Sequence, residues 1–225
     1  MFRKAYSIFE NSTDQKLVAM KTISTLILAV IFIGFAGCTT PLVEDTSIES
    51  PKEITAFQQY MLDDINFART NPVGYADSRL KEDYGNSTDN GSYLYFKNTN
   101  PVGLITFNNS LNLSASNYAT LLAEKNLAEH NADGTPLKRA IRAGYTGTST
   151  GENIAIASEN SFNAILNPQT AAIFFVRVMI IDEGVEDIGH RLIILSPKYK
   201  AIGIGFTQNS TTPLLNYVVQ DFGNL

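Results

Sequence analysis

Tyr199-Lys200-Ala201-Ile202-Gly203-Ile204-Gly205-Phe206 alternates without a break, with Gly203 and Gly205 on one side and Ile202, Ile204 and Phe206 on the other. A period of two is a β-strand. The small residues on one face leave room for a helix or a ligand to approach the backbone closely. Asn209 to Pro213 supplies turn residues, and Leu214 to Phe222 returns as an antiparallel partner strand. Upstream of this hairpin the periodicity is helical. Ile54, Phe57, Met61, Ile65 and Ala68 recur at three- and four-residue steps, and Asn71-Pro72 stops the helix because a residue before proline avoids helical dihedrals. A short second helix follows from Tyr75 to Leu80.

Lys81 to Asn100 is polar and reads as a loop, whose Tyr93, Tyr95 and Phe96 either cover the core or line a groove. Ser110 is placed to cap the next helix, with Leu111, Ala115, Tyr118 and Leu122 as its buried stripe. Thr135-Pro136 is a second helix start, ended by Gly144. Ala171 to Ile181 is apolar all round except for Arg177, which favours a buried helix, though its β-branched residues keep a strand reading open. Helices first and a terminal hairpin last predict an α+β layered domain.

The chain has 225 residues, 44% of them hydrophobic and 17% charged, enough for one domain with a substantial core. Its net charge of -5 and the lack of a basic run in the body of the chain exclude a nucleic-acid partner, whose phosphates require a basic face. With 1 cysteine no intramolecular disulfide can form. That residue, Cys38, follows the apolar run Ile23 to Ala36, which suits a secretory signal and is short for a membrane span. Phe35-Ala36-Gly37-Cys38 resembles the bacterial lipobox, in which the cysteine is acylated; a buried free thiol is the alternative.

The expected organisation is therefore a signal peptide over 1–37, with translation beginning at Met20 and residues 1–19 as an upstream extension. Lipidated Cys38 and a flexible tether occupy 38–52, and the folded domain occupies 53–225. The acyl chains would make the membrane a partner.

The chain has 2 histidines, and both stand beside glycines or acids. His130 precedes Asn131-Ala132-Asp133-Gly134, and His190 lies in Gly189-His190-Arg191. Glu152 sits between Gly151 and Asn153.

Asn66-Phe67-Ala68-Arg69-Thr70-Asn71-Pro72, His130 before Asp133-Gly134, Gly151-Glu152-Asn153-Ile154-Ala155, Gly189-His190-Arg191, Ile202-Gly203-Ile204-Gly205 and Tyr217-Val218-Val219-Gln220-Asp221-Phe222-Gly223 occur here in an order that resembles the CAP superfamily, also called SCP-like domains, and its bacterial branch. The resemblance covers Ile54 to Gly223. It implies a three-layer α-β-α sandwich with a central antiparallel sheet, and a cleft carrying two histidines and two acids. His130, His190 and Glu152 match three of those positions. Asp182 and Glu183 are both candidates for the fourth, since the tryptophan that often precedes it in the family has no counterpart in a chain with 0 Trp.

Imidazoles and carboxylates meeting in a cleft suit a divalent cation such as zinc; three protein ligands with an open position would also polarise a water. The bland alternative is that Glu152, Asn153 and Arg191 simply brace loops. The resemblance implies an extracellular binding module with a lipid, polysaccharide or host-protein ligand, and the lipidated Cys38 followed by Thr39 favours the cell surface or outer membrane. Its rival is a metal-assisted hydrolase of peptide, glycan or phosphodiester bonds.

Overall fold

A computed structural model describes residues 53–86, 89–158, 167–183, 188–209 and 215–224. Cys38, the signal segment and the tether lie outside them, as do Leu214 and all of the Asn209 to Pro213 turn but its first residue. Among the described residues no helix is long and apolar enough to cross a membrane.

Helix α1 (Ala56–Thr70) begins with a capping box in which the Thr55 and Gln58 side chains satisfy each other's backbone N–H groups. It buries Phe57, Met61, Ile65 and Ala68, the stripe its periodicity predicts. Helix α2 (Pro72–Tyr75) runs into a π-turn at Ala76–Leu80. The stretch expected to be a loop contains helix α3 (Ser92–Lys97), whose Phe96 is fully buried. Its polar composition hid it, because one aromatic anchor is too little to establish a period. A two-residue strand β1 (Thr106–Phe107) precedes α4 (Asn109–Lys125). Asn108, rather than Ser110, caps α4 by accepting from the Leu111 N–H. Asn108 has the extended backbone a cap requires, whereas Ser110 is already inside the first turn. Helix α5 (Pro136–Arg142), strand β2 (Thr150–Ser158), helices α6 (Pro168–Ile181) and α7 (Gly189–Ile194), and strands β3 (Ala201–Gln208) and β4 (Leu215–Gly223) complete the fold.

The sheet order is β1-β3-β4-β2. The β3–β4 and β4–β2 pairs are antiparallel, and only the short β1 runs parallel to its neighbour. Helix α4 presses on the glycine face of β3. A Cβ built on Gly203 would lie 2.0 Å from the Leu111 carbonyl carbon, and one on Gly205 would lie 2.1 Å from the Ala115 carbonyl oxygen. The small residues thus admit a helix rather than a ligand. On the opposite face Ile202 and Ile204 share one core with Phe57 and Met61 of α1 and Phe175 and Met179 of α6. Burying each such side chain contributes about 1.5–3 kcal/mol. The domain is therefore an α+β three-layer sandwich, and α6 settles the Ala171–Ile181 ambiguity in favour of a helix.

Candidate functional site

Helix α4 ends at Asn126, which adopts a left-handed conformation (φ 52°) and turns the chain back. The Tyr118 hydroxyl donates to the Glu129 carbonyl at 2.6 Å and accepts from the Ala132 N–H at 3.1 Å. Arg139, on α5, donates to the carbonyls of His130 and Gly134. These bonds hold the loop that carries His130. Its ring is half exposed, and Nδ1 lies 2.8 Å from Glu152 Oε1. Arg139 donates to the other Glu152 oxygen, and its guanidinium stacks 3.4 Å above the Tyr118 ring. Both partners of this ion pair are buried.

The second histidine has its own acid. Helix α6 terminates at Asp182, again left-handed (φ 55°), which directs its carboxylate toward α7. Asp182 Oδ1 pairs with His190 Nδ1, and Oδ2 accepts from the Arg191 N–H at 3.2 Å. Buried Arg191 donates to the carbonyls of Ile180, Ile181 and Asn90, so it straps the C-terminal end of α6 through backbone oxygens instead of a salt bridge. Glu183 is exposed and holds neither histidine. It lines a hollow of about 70 Å³ together with Asp182, His190, Ile154, Ala155 and Met179. Of the two candidate acids, Asp182 is the one bonded to an imidazole.

The two stations hang from consecutive residues of β2. Neighbouring side chains on a strand point to opposite faces. Glu152 turns toward α4 and α5, whereas Asn153 donates to the His190 carbonyl at 3.3 Å and to Gln220 Oε1 at 3.1 Å. Neither imidazole is sealed: the side chains of His130 and His190 are 50% and 22% exposed. Among the described residues neither Nε2 has a hydrogen-bond partner. Nor do any three His, Cys, Asp or Glu side chains among them converge as a set that would hold a metal ion. The three-ligand shell expected from the sequence is replaced by two imidazole–carboxylate pairs.

Three participants were not anticipated. Asp221 of β4 lies directly opposite Glu152, is fully buried, and accepts from the Ser114 hydroxyl at 2.6 Å. Burial, reinforced by the neighbouring Glu152 charge, holds the Asp221 carboxyl well above the usual carboxylate range. Its Oδ1 has no donor facing it among the described residues, so a proton there, directed toward Glu152, satisfies both acids. A lone acid in the apolar run Tyr217–Phe222 was the available signal for Asp221. Arg139 and Ser114 carried none, since a single polar residue on a short or small-residue helix is usually solvated.

A model of the cysteine-rich secretory protein (CAP) family matches residues 62–222. Among solved structures, an extracellular protein with an SCP domain from Bacillus anthracis is 20% identical over 55% of this chain and 35% of that one, with a TM-score of 0.40. The chain thus spans about a third of that protein's length. An outer surface protein of Borrelia burgdorferi is 17% identical over 65% of this chain and 92% of that one, with a TM-score of 0.40. NaASP2 crystallised with Zn2+ is 14% identical over 78% and 85% of the two chains, with a TM-score of 0.42. No curated protein matches. The family model spans well over half of the sequence, and the chain belongs to the CAP family of cysteine-rich secretory proteins.

Proposed function

We propose that this protein is an extracellular binding module, anchored to the cell envelope through acylated Cys38, with a weak divalent-cation site on His130 and His190. The observation that carries the cation site is how the two rings are held. Each Nδ1 faces a buried carboxylate, and a carboxylate can only accept. In the neutral ring the proton therefore sits on Nδ1 and the Nε2 lone pair is left available, the arrangement that supports metal-bound histidines generally. Two imidazoles fall short of the three or four protein ligands of a tight zinc site, so water or solute oxygens would complete the shell and affinity would be low. A bound cation would supply Lewis-acid polarisation of an oxygen on the bound solute.

Binding is favoured over turnover because Glu152 is committed. Its two oxygens accept from His130 and Arg139, and Asp221 lies alongside. A base needs a free lone pair near the reacting proton. Among the described residues, exposed Glu183 beside His190 is the one acid at the hollow left to serve the hydrolase alternative.

Zinc titration by calorimetry tests the site, with His130→Ala and His190→Ala as controls. Weak saturable binding lost in both variants is expected. Parent-like binding in two normally melting variants would remove the site. Chelator-sensitive hydrolysis that disappears in Glu183→Gln would replace the binding module with an enzyme. Labelled palmitate incorporated by cells expressing the chain, and absent with Cys38→Ser, tests the anchor.

A further inference from the structure

The two edges of the sheet are finished differently. Beyond the short β1, the outer side of β3 is closed by other parts of the chain. Asn112 Oδ1 accepts from the Ile204 N–H at 3.3 Å, and Gln58 Nε2 donates to the Ile204 carbonyl at 2.7 Å. The Ile202 carbonyl accepts from the Asn108 N–H at 2.9 Å. Strand β2 is the other edge, and among the described residues β4 is its one neighbour in the sheet.

In an antiparallel ladder alternate residues turn both N–H and C=O away from the partner strand. Among the described residues, the main chain of Thr150–Ala157 receives one bond from outside the β2–β4 ladder, from the Asn216 amide to the Ala157 carbonyl. The usual guards of an open edge, proline, lysine or a bulge, are missing. Thr150–Ser158 contains no proline, lysine or arginine, and its register against β4 runs unbroken. Its one acid, Glu152, is buried against Arg139.

The hollow beside His190 meets this edge. Ile154 packs with the α4 cluster and Ala155 with the core under α1 and α6, so the two lie on opposite faces of the sheet. Both nevertheless line the hollow, which therefore opens on the strand from its side. Glu152 bonds Arg139 of α5, and Asn153 bonds the His190 carbonyl of α7. Every residue of β2 is buried or half-buried, so the edge is the floor of a recess flanked by those two helices.

Unpaired donors and acceptors at strand spacing are complementary to the main chain of another extended polypeptide. The recess sets which kind. A second copy presenting its own β2 would bring its α5 and α7 against these same helices, whereas a single extended segment carries nothing beside it. Exposed Glu183 at the hollow favours a segment with a basic side chain.

We propose that the free edge of β2 is a strand-addition site for an extended peptide segment, whose main chain continues the sheet and one of whose side chains enters the hollow beside His190. The proposal rests on the binding-module reading and names its ligand class; it needs no cation.

Hydrogen exchange of the purified, 15N-labelled chain, read by NMR with chelator present, tests this with the peptide acetyl-Thr-Val-Lys-Val-Thr-Val-amide. Saturating peptide should slow the exchange of alternate amides within Thr150–Ala157. Two further peptides carry N-methyl groups on alternate residues, one set on each edge of the strand. The set that faces β2 should weaken binding at least about tenfold, the loss of one good main-chain hydrogen bond, and the other set should bind like the parent. Equal affinity of all three peptides overturns the proposal, and so does the absence of protection in β2. Protection of the same amides without peptide, in a chain that sediments as a dimer, would put a second copy on the edge and overturn it too. Peptide cleaved during the titration, with β2 protected, would remove the binding-module reading and leave the strand-addition site standing.

Discussion

Glu152 on β2 and Asp221 on β4 are direct cross-strand partners, and both are buried on the α4 side of the sheet. Two acids so placed cannot both carry charge cheaply. The structure resolves the conflict with Arg139 on one acid and Ser114 on the other.

The first consequence concerns pH. The folded chain keeps a proton on Asp221 that the unfolded chain releases above its ordinary value near 3.9. The folded state then binds more protons, so this group's contribution to stability is fully present below that value. It is lost as pH rises toward the raised folded value, at up to ~1.4 kcal/mol per pH unit. Asp221→Asn keeps one acceptor for Ser114 and one donor for Glu152 without a proton to lose. Its melting temperature at neutral pH should equal or exceed that of the parent, with the advantage shrinking toward pH 4. Parallel melting profiles for the two proteins between pH 4 and pH 8 would show that Asp221 is not held neutral.

Glu152→Gln should behave in the opposite sense. It leaves the Arg139 guanidinium, 3% exposed as a side chain, without its carboxylate. Breaking a buried pair from one side costs about 3–5 kcal/mol. Urea unfolding at neutral pH reads the loss directly, and a change below ~1 kcal/mol would mean that water already reaches the pair.

Arg69 is fully buried and, among the described residues, meets no acid. It donates instead to the carbonyls of Gly103, Ile194, Ser196 and Tyr199, tying α1 to the segment after α7 and to the entry of β3. Arg69→Met strands those carbonyls, each at about 1–3 kcal/mol if unsatisfied. We expect a loss of at least ~3 kcal/mol. Arg69→Lys should recover little of it, because an ammonium lacks the planar fork that reaches several carbonyls. Full rescue by lysine would show that charge rather than fork geometry matters.

Gly203→Ala tests the packing of α4 on the sheet. The added methyl would sit 2.0 Å from the Leu111 carbonyl carbon and 2.1 Å from the Asn112 nitrogen, both backbone atoms that cannot rotate away. Overpacking of this kind costs about 1–3 kcal/mol and sometimes more. Asn112 must also move, although its side-chain oxygen accepts from the Ile204 N–H and from Gln58. A melting temperature within a degree of the parent would mean that α4 is free to lift.

Periodicity reported the elements that bury one face. The α1 and α4 stripes, the start of α5 at Thr135-Pro136, and the β3–β4 hairpin were legible because each repeats a local spacing. Strand β2 was not assigned from its pattern. Glu152 and Asn153 are buried in it, and their burial is tolerated only because Arg139, His130 and Gln220 come from elsewhere to satisfy them. Helix α3 was missed for a related reason: Phe96 anchors it to a core that its own six residues do not reveal.

The sequence by itself determined the layered α+β class, the family and the pair of histidines that stand apart from everything else in the chain. Only the tertiary structure decided that His190 is held by Asp182 and not by Glu183. It alone showed that Arg139 and Asp221 share Glu152. Local spacing is written into neighbouring residues, whereas a bond between positions far apart in the chain depends on strand register and on how helices seat against the sheet.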